Sequence, residues 1–273
     1  MQGEISEKRD ISVQATVTGA GLRFLQRLLQ RETGMLLPPV MPLHGLKRVL
    51  DAFCGPGAWA IDLARAYPHL QVTGVDQRLA LLRLARADAR AGGIQNLRFD
   101  GVSTMERLPY ASDYFDCIHA WCDDALAIVH DRTGVLREFW RILRPGGWIQ
   151  LRIFDVGASS SPALNCLCEY MRASTEASHS PSLLYPGLLA EAGYTRIRYT
   201  LHPIDLGNQR YDHGRKYART VLLHDQCISQ LIEQAGSGQG RELAEMITEV
   251  RKETACLDYC AIGMLTNITA SKP

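Results

Sequence analysis

Along most of the chain, short apolar runs alternate with stretches whose apolar residues return every three or four positions, the signature of a parallel sheet with helices on both faces. The first run, about 48 to 53, ends in a glycine turn, and a helix is expected from Ala58 to about Ala66, stopping before Pro68. A second strand, Gln71 to Val75, leads to a helix whose Leu82, Ala85 and Ala89 face inward while Arg83, Arg86 and Arg90 face water. Gly92-Gly93 ends that helix. Further strands are expected at Asn96 to Asp100, Phe115 to Ala120 and Trp148 to Phe154, the last preceded by a helix carrying Leu136, Phe139 and Leu143.

Beyond the fifth strand the alternation becomes irregular. A serine-rich stretch, 158 to 162, opens a helical segment, and Ser178 to Pro186 breaks it. A sixth strand is expected over Thr195 to Leu201 and a seventh near Asp258 to Thr266. Two amphipathic helices lie between them, one with Tyr217, Val221, Ile228 and Leu231 inward, the other with Leu243, Met246 and Val250. An insert of this length, about 209 to 257, suits a lid over a binding pocket. The same pattern also suits a homodimer interface.

Composition agrees with one sizeable core: 273 residues, 46% hydrophobic and 22% charged. Thirty basic residues against twenty-nine acidic leave a net charge of +1, so no global attraction to nucleic-acid phosphates or anionic membranes is built in. Met1 to Lys8 lacks a basic start followed by an apolar core, and no segment has ~18 uninterrupted apolar residues, which points to a cytoplasmic protein. The eight cysteines read as reduced thiols. Cys166-x-Cys168 and Cys256-x₃-Cys260 lack the spacing of a zinc site, so buried small side chains rather than metal ligands are expected.

The first turn carries the chemistry. Gly55 and Gly57 open the backbone to a ligand, and free amides at the start of the following helix favour a negatively charged group. Taken alone, Gly55-Pro56-Gly57-Ala58-Trp59-Ala60 also fits the dinucleotide pattern G-x-G-x-x-A, with Asp76 about 20 residues on as a ribose-binding acid. A nicotinamide-dependent oxidoreductase therefore stays open on the loop. Three features favour S-adenosyl-L-methionine: Asp51 at the end of the first strand, the chain of some fifty residues before it, and the Leu-Arg-Pro-Gly-Gly turn at 143 to 147.

In this order, VLDAFCGPGAWAIDLA, VTGVDQ, RLPYASDYFDCIHA and LREFWRILRPGGWIQL resemble the class I, Rossmann-type S-adenosylmethionine-dependent methyltransferases, nearest to the ubiquinone/menaquinone-biosynthesis-like small-molecule group. The resemblance implies an α/β fold with a doubly wound, seven-stranded, mostly parallel sheet. One domain is expected, with a helical cap at 1 to 45, a cofactor-binding core at 46 to 154 and a substrate-side half at 155 to 273.

It also implies that Asp51 fixes the loop or reaches the methionyl ammonium through water, that Asp76 accepts both ribose hydroxyl hydrogens, and that Gln77 borders the adenine. An ionised carboxylate, an acceptor only, suits the ribose role. Two departures stand out. Phe53 occupies a usual glycine position, which would place a ring beside the ligand. After the third strand, where the family commonly has an adenine-binding Asp, this chain has Ser103, Thr104 and Met105. A hydroxyl or the backbone must replace the acid, and Met105 either lies against adenine or belongs to the core.

Methyl transfer chiefly needs alignment in a water-poor pocket, so a missing catalytic triad does not count against activity. His119, near the end of strand four, is the candidate proton acceptor and borders the cofactor, with a structural imidazole as the alternative. Trp121, Tyr185 and Tyr217 are candidate acceptor-pocket residues, and His179 lies in the same late segments. Strand four is followed neither by an Asn/Asp-Pro-Pro-Tyr element nor by a Pro-Cys pair, which argues against nucleic-acid bases as substrates. The expected function is methyl transfer to oxygen, nitrogen or carbon of a small organic acceptor, in secondary metabolism or quinone-like biosynthesis. A methyltransferase fold that binds the cofactor for a non-methylating reaction is the other alternative.

Overall fold

The computed structural model describes residues 22–23, 26–31, 33–34, 36–38, 45–122, 131–174, 181–207 and 237–273. Seven strands form one sheet: β1 (Arg48–Ala52), β2 (Gln71–Asp76), β3 (Leu97–Gly101), β4 (Phe115–Trp121), β5 (Leu143–Ser159), β6 (Thr195–Asp205) and β7 (Ala261–Ser271). Their order is β3-β2-β1-β4-β5-β7-β6. Strands β3 to β5 pair in parallel, and β7 runs antiparallel to both β5 and β6. The order reverses between β1 and β4, the crevice where open sheets of this kind bind ligands.

Successive side chains of a strand point to opposite faces, so register decides which residues meet. On one face Leu50, Ala52, Ile118, Ala120, Ile149, Leu151, Ile153, Ile268 and Ala270 build a core against α3 (Arg132–Ile142) and α5 (Pro181–Glu191), with Leu136, Phe139 and Leu189 fully buried. On the other face α1 (Ala58–Ala66) and α2 (Leu79–Ala91) pack on Val49, Val72 and Cys117. Farther along that face α4 (Pro162–Ser174) and α6 (Ser237–Ala255) pack on Trp121 and Leu265. Leu29, in the helical stretch 26–31, joins this last cluster.

Several expectations needed correction. Leu143 is not helical: it opens β5 opposite Phe115, and the irregular register that follows, with Gly146 at φ +71°, accommodates Pro145-Gly146-Gly147. Pro186 lies inside α5 rather than ending a break, because the helix already starts at Pro181. Strands β6 and β7 extend about four and five residues beyond their expected ends, pairing from Thr195↔Ser271 to Asp205↔Ile262. Arg86 is half-buried, and its guanidinium donates to the Phe99 carbonyl at 2.8 Å instead of simply facing water. Cys166, Cys256 and Cys260 are exposed rather than buried, whereas Cys54, Cys117 and Cys122 are buried.

The second insert helix exists as α6, with Leu243, Ile247 and Val250 buried and Met246 less so. Its Glu253 accepts from the Ser161 hydroxyl at 2.6 Å and from the Ala163 amide at 3.1 Å, which fastens it to the start of α4. The first insert helix, Tyr217 and His179 lie outside the described residues, as does most of the expected N-terminal cap. Among the described residues no helix is long and apolar enough to cross a membrane.

Candidate active site

The turn after β1 sits where the sheet reverses, and each of its residues has a different reason for its conformation. Phe53 takes φ +55°, a left-handed conformation costing about 1–2 kcal/mol for a residue with a Cβ. Its ring does not lie along an open ligand edge, as the sequence suggested. It is buried and meets Phe139 edge-on at 6.4 Å, so core packing offsets the backbone strain.

The two glycines also divide their work. Gly57, at φ +75°, is kept small by packing, since a Cβ there would come within 2.6 Å of the Phe99 ring and 2.9 Å of Ala85. The packing of the turn against β3 and α2 is by itself a reason for glycine here. Gly55, at φ +54°, is buried as well, but a Cβ there would meet only the ends of two side chains, Arg78 at 3.7 Å and Gln26 at 4.0 Å.

Asp76 ends β2 and is 2% exposed. Its Oδ2 accepts from the Gly55 amide at 2.8 Å, joining the two loops of the crevice. The Arg78 amide donates to Oδ1 at 2.8 Å, and the Arg78 guanidinium adds a two-pronged contact, Nε to Oδ1 and Nη2 to Oδ2, both at 3.0 Å. Gln77 spans outward, its Nε2 donating to the Ser103 carbonyl at 2.8 Å, so the rim of the crevice is tied from β2 to the loop after β3. Ser103 is exposed on that rim; the Thr104 hydroxyl accepts from the Glu106 amide at 3.1 Å. Met105 is buried in the core cluster that also holds Phe53 and Val75.

Asp51 and His119 lie side by side in the β1–β4 register, and Oδ1 meets Nδ1 at 2.7 Å. Trp59 of α1 stacks flat on the imidazole, with ring centroids 3.8 Å apart. Burial pushes the Asp51 carboxyl well above the usual range, and Asp76 adds repulsion; the Ala60 amide and the Arg152 guanidinium oppose both. Burial, reinforced by Arg152, pushes the His119 imidazole well below its usual value and keeps it neutral. Arg152, itself almost fully buried and lowered to about 10, donates through Nε to Asn267 Oδ1 at 3.1 Å. The same face thus carries two neighbouring polar pairs, Asp51 with His119 on β1 and β4 and Arg152 with Asn267 on β5 and β7.

Trp121 and Tyr185 do not share a pocket wall. Trp121 belongs to the cluster beneath α4 and α6, and Tyr185 to the cluster on the opposite face beneath α5. Sequence reasoning passed over Arg78 and Arg152. The first sits two residues past a predicted ribose acid at a helix start, and the second interrupts an apolar strand, so both were visible as misplaced charges.

Residues 49–147 match the family model described as "Methyltransferase domain". The match takes in the turn, Asp76 and the β4 end, and it favours the methyltransferase reading of the glycine pattern over the dinucleotide one. Methyltransferase GfsG of Streptomyces halstedii is 33% identical over 183 residues, covering 66% of this chain and 61% of that protein. The demethylmenaquinone methyltransferase of Deinococcus radiodurans is 36% identical over 116 residues, covering 42% of this chain and 46% of its own. The matched regions thus span about half to three-fifths of these curated relatives. Among solved structures, phosphoethanolamine N-methyltransferase 2 of Haemonchus contortus, in complex with S-adenosyl-L-methionine, superposes with a TM-score of 0.55 at 16% identity. That superposition covers 91% of this chain and 52% of the other, and it shows a shared fold.

Proposed function

We propose that the chain is an S-adenosyl-L-methionine-dependent methyltransferase acting on a small organic acceptor. One observation carries the reading: within the matched methyltransferase domain, a buried carboxylate ends β2, one strand from the sheet reversal, and accepts from the amide of the glycine turn that sits at the reversal. A cis-diol matches a carboxylate that can accept two parallel hydrogen bonds. Asp76 would hold the ribose, Gln77 with Ser103 and Thr104 would border the adenine, and Gly55 would leave room for the methionyl part. When bound, the cofactor supplies a methyl group already activated on sulfur.

His119 is better placed to position Asp51 than to take a proton from an acceptor, since it is enclosed between Asp51 and Trp59 and is 1% exposed. The near-neutral net charge supports a small acceptor over a nucleic acid. Isothermal titration calorimetry with S-adenosylhomocysteine and with NAD tests the cofactor assignment. Binding of the first alone is expected, and Asp76→Ala should weaken it by roughly 1.5–3 kcal/mol, the range for hydrogen bonds to a charged group. Unchanged affinity in a folded Asp76→Ala variant would remove the ribose assignment. Transfer of a labelled methyl group to small phenols, amines or enolisable carbonyl compounds then tests the acceptor class.

A further inference from the structure

Arg78 stands at the helix start where Ser, Thr, Asp or Asn would cap best, and it caps nothing with its side chain. A cation there also faces the positive end of the α2 dipole. Helix physics therefore gives no reason for this residue. Asp76 gives one. Its four acceptor positions are all engaged, two by the backbone amides of Gly55 and Arg78 and two by the Arg78 guanidinium.

The backbone pair is fixed by the turn, whereas the guanidinium pair is side chain only. Arg78 remains one-third exposed, so water can receive it when it lets go. Asp76 has no such option: at 2% exposure it cannot leave two acceptor positions bare without the cost of a buried, unpaired charge.

We propose that Arg78 is a built-in competitor for the ribose, its Nε and Nη2 holding on Asp76 the two acceptor positions that the cofactor's two hydroxyls would take. This rests on the reading that Asp76 binds the ribose. Two parallel N–H donors replace two O–H donors, so the carboxylate is paired in both states. S-Adenosylmethionine and S-adenosylhomocysteine carry the same ribose, so the competition weakens both by the same factor, and the returning guanidinium favours departure of the product.

Calorimetry on the full chain tests this with Arg78→Ala, Arg78→Lys and Asp76→Ala. Arg78→Ala should tighten binding of both ligands by a common factor of about 3–30, the tax imposed by a modest ion pair on the competent state. Arg78→Lys, which keeps the charge but not the two-pronged geometry, should fall between. Raising the salt concentration should tighten S-adenosylhomocysteine binding to the wild type while leaving Arg78→Ala nearly unchanged. The proposal is overturned if Arg78→Ala binds equally or more weakly while Asp76→Ala still loses affinity, since Arg78 would then merely support the turn. If Asp76→Ala binds as the wild type does, the ribose reading has failed, and the competitor fails with it. Should Arg78→Ala not fold, Arg78→Lys and the salt dependence decide by the same criteria.

Discussion

At the Asp51–His119 contact a single proton must sit on one side of a 2.7 Å hydrogen bond. Burial and repulsion from Asp76, the larger effects, raise the Asp51 carboxyl, and burial holds His119 neutral, so the proton is expected on Asp51, donated to a bare His119 Nδ1, with the ring hydrogen on Nε2. Nitrogen chemical shifts of the labelled histidines check this. His119 should show that tautomer and stay neutral through pH 6.5, where an ordinary imidazole titrates. A protonated Nδ1 beside a bare Nε2 would put the proton on His119 instead. The sign of the stability effect follows: below about pH 6.5 the unfolded chain takes up a proton that folded His119 refuses, so this residue withdraws stability as pH falls. Asp51, with its folded value raised, acts oppositely as pH falls toward 3.8. A second expectation sets two magnitudes against each other at Phe53. Phe53→Gly relieves about 1–2 kcal/mol of left-handed strain but loses a buried ring worth about 3–5 kcal/mol, so the variant should be less stable by roughly 1–4 kcal/mol in urea unfolding. Spacing along the chain was enough to single out Gly55, Asp76 and Gln77. The inward turn of Phe53 and the packing reason for Gly57 were not legible, because Phe139 and Phe99 meet them only in the folded chain.

At the scale of elements, the periodic part of the chain was easiest to read. α1 and β1 to β4 lie within a residue or so of their expected bounds, and α2 ends at the expected glycines, since each has a clear apolar face and a turn at its end. β6 and β7 were misjudged because β6 is a largely exposed edge strand whose polar residues, Arg196, Arg198 and Thr200, hide any apolar alternation. Their length is set by pairing with each other, which one strand's sequence does not show. Lys272, just past β7, illustrates the same dependence on tertiary context. Its ammonium is buried and donates to Asp113 Oδ1 at 2.7 Å and to the carbonyls of Leu143 and Trp140 at 2.8 and 3.0 Å, while lying 3.9 Å from the centre of the Trp140 ring. Lys272→Met keeps most of the apolar stem and removes every donor. It should lower stability by about 2–4 kcal/mol, because two carbonyls lose a partner along with the ion pair. A shift of the urea midpoint with an unchanged slope would confirm it; no shift would mean that solvent satisfies those carbonyls after all.

For the whole molecule, the class of fold could be read from four motifs in order, while the packing around Trp121 could not, because its residues come from segments far apart in sequence: 29, 164–167, 243–250 and 259–265. Three apolar clusters built on one sheet make the cofactor crevice part of the structure that must unfold with everything else. A ligand that binds only the folded chain then stabilises the whole by the logarithm of its saturation, about 2.7 kcal/mol at a hundredfold excess over Kd. For a chain of this size each kcal/mol corresponds to roughly 2–4 °C in Tm. S-Adenosylhomocysteine at that excess should therefore raise Tm by about 5–11 °C, whereas NAD should leave it where it was. Asp76→Ala at the same ligand concentration should show a much smaller rise, since its Kd is weaker by roughly 10–150-fold on the energies above. The comparison also tests cooperativity. If the ligand raises only an early transition and a later one stays fixed, the crevice half and the half beneath α4 and α6 unfold separately, and the continuous sheet does not bind them into one unit.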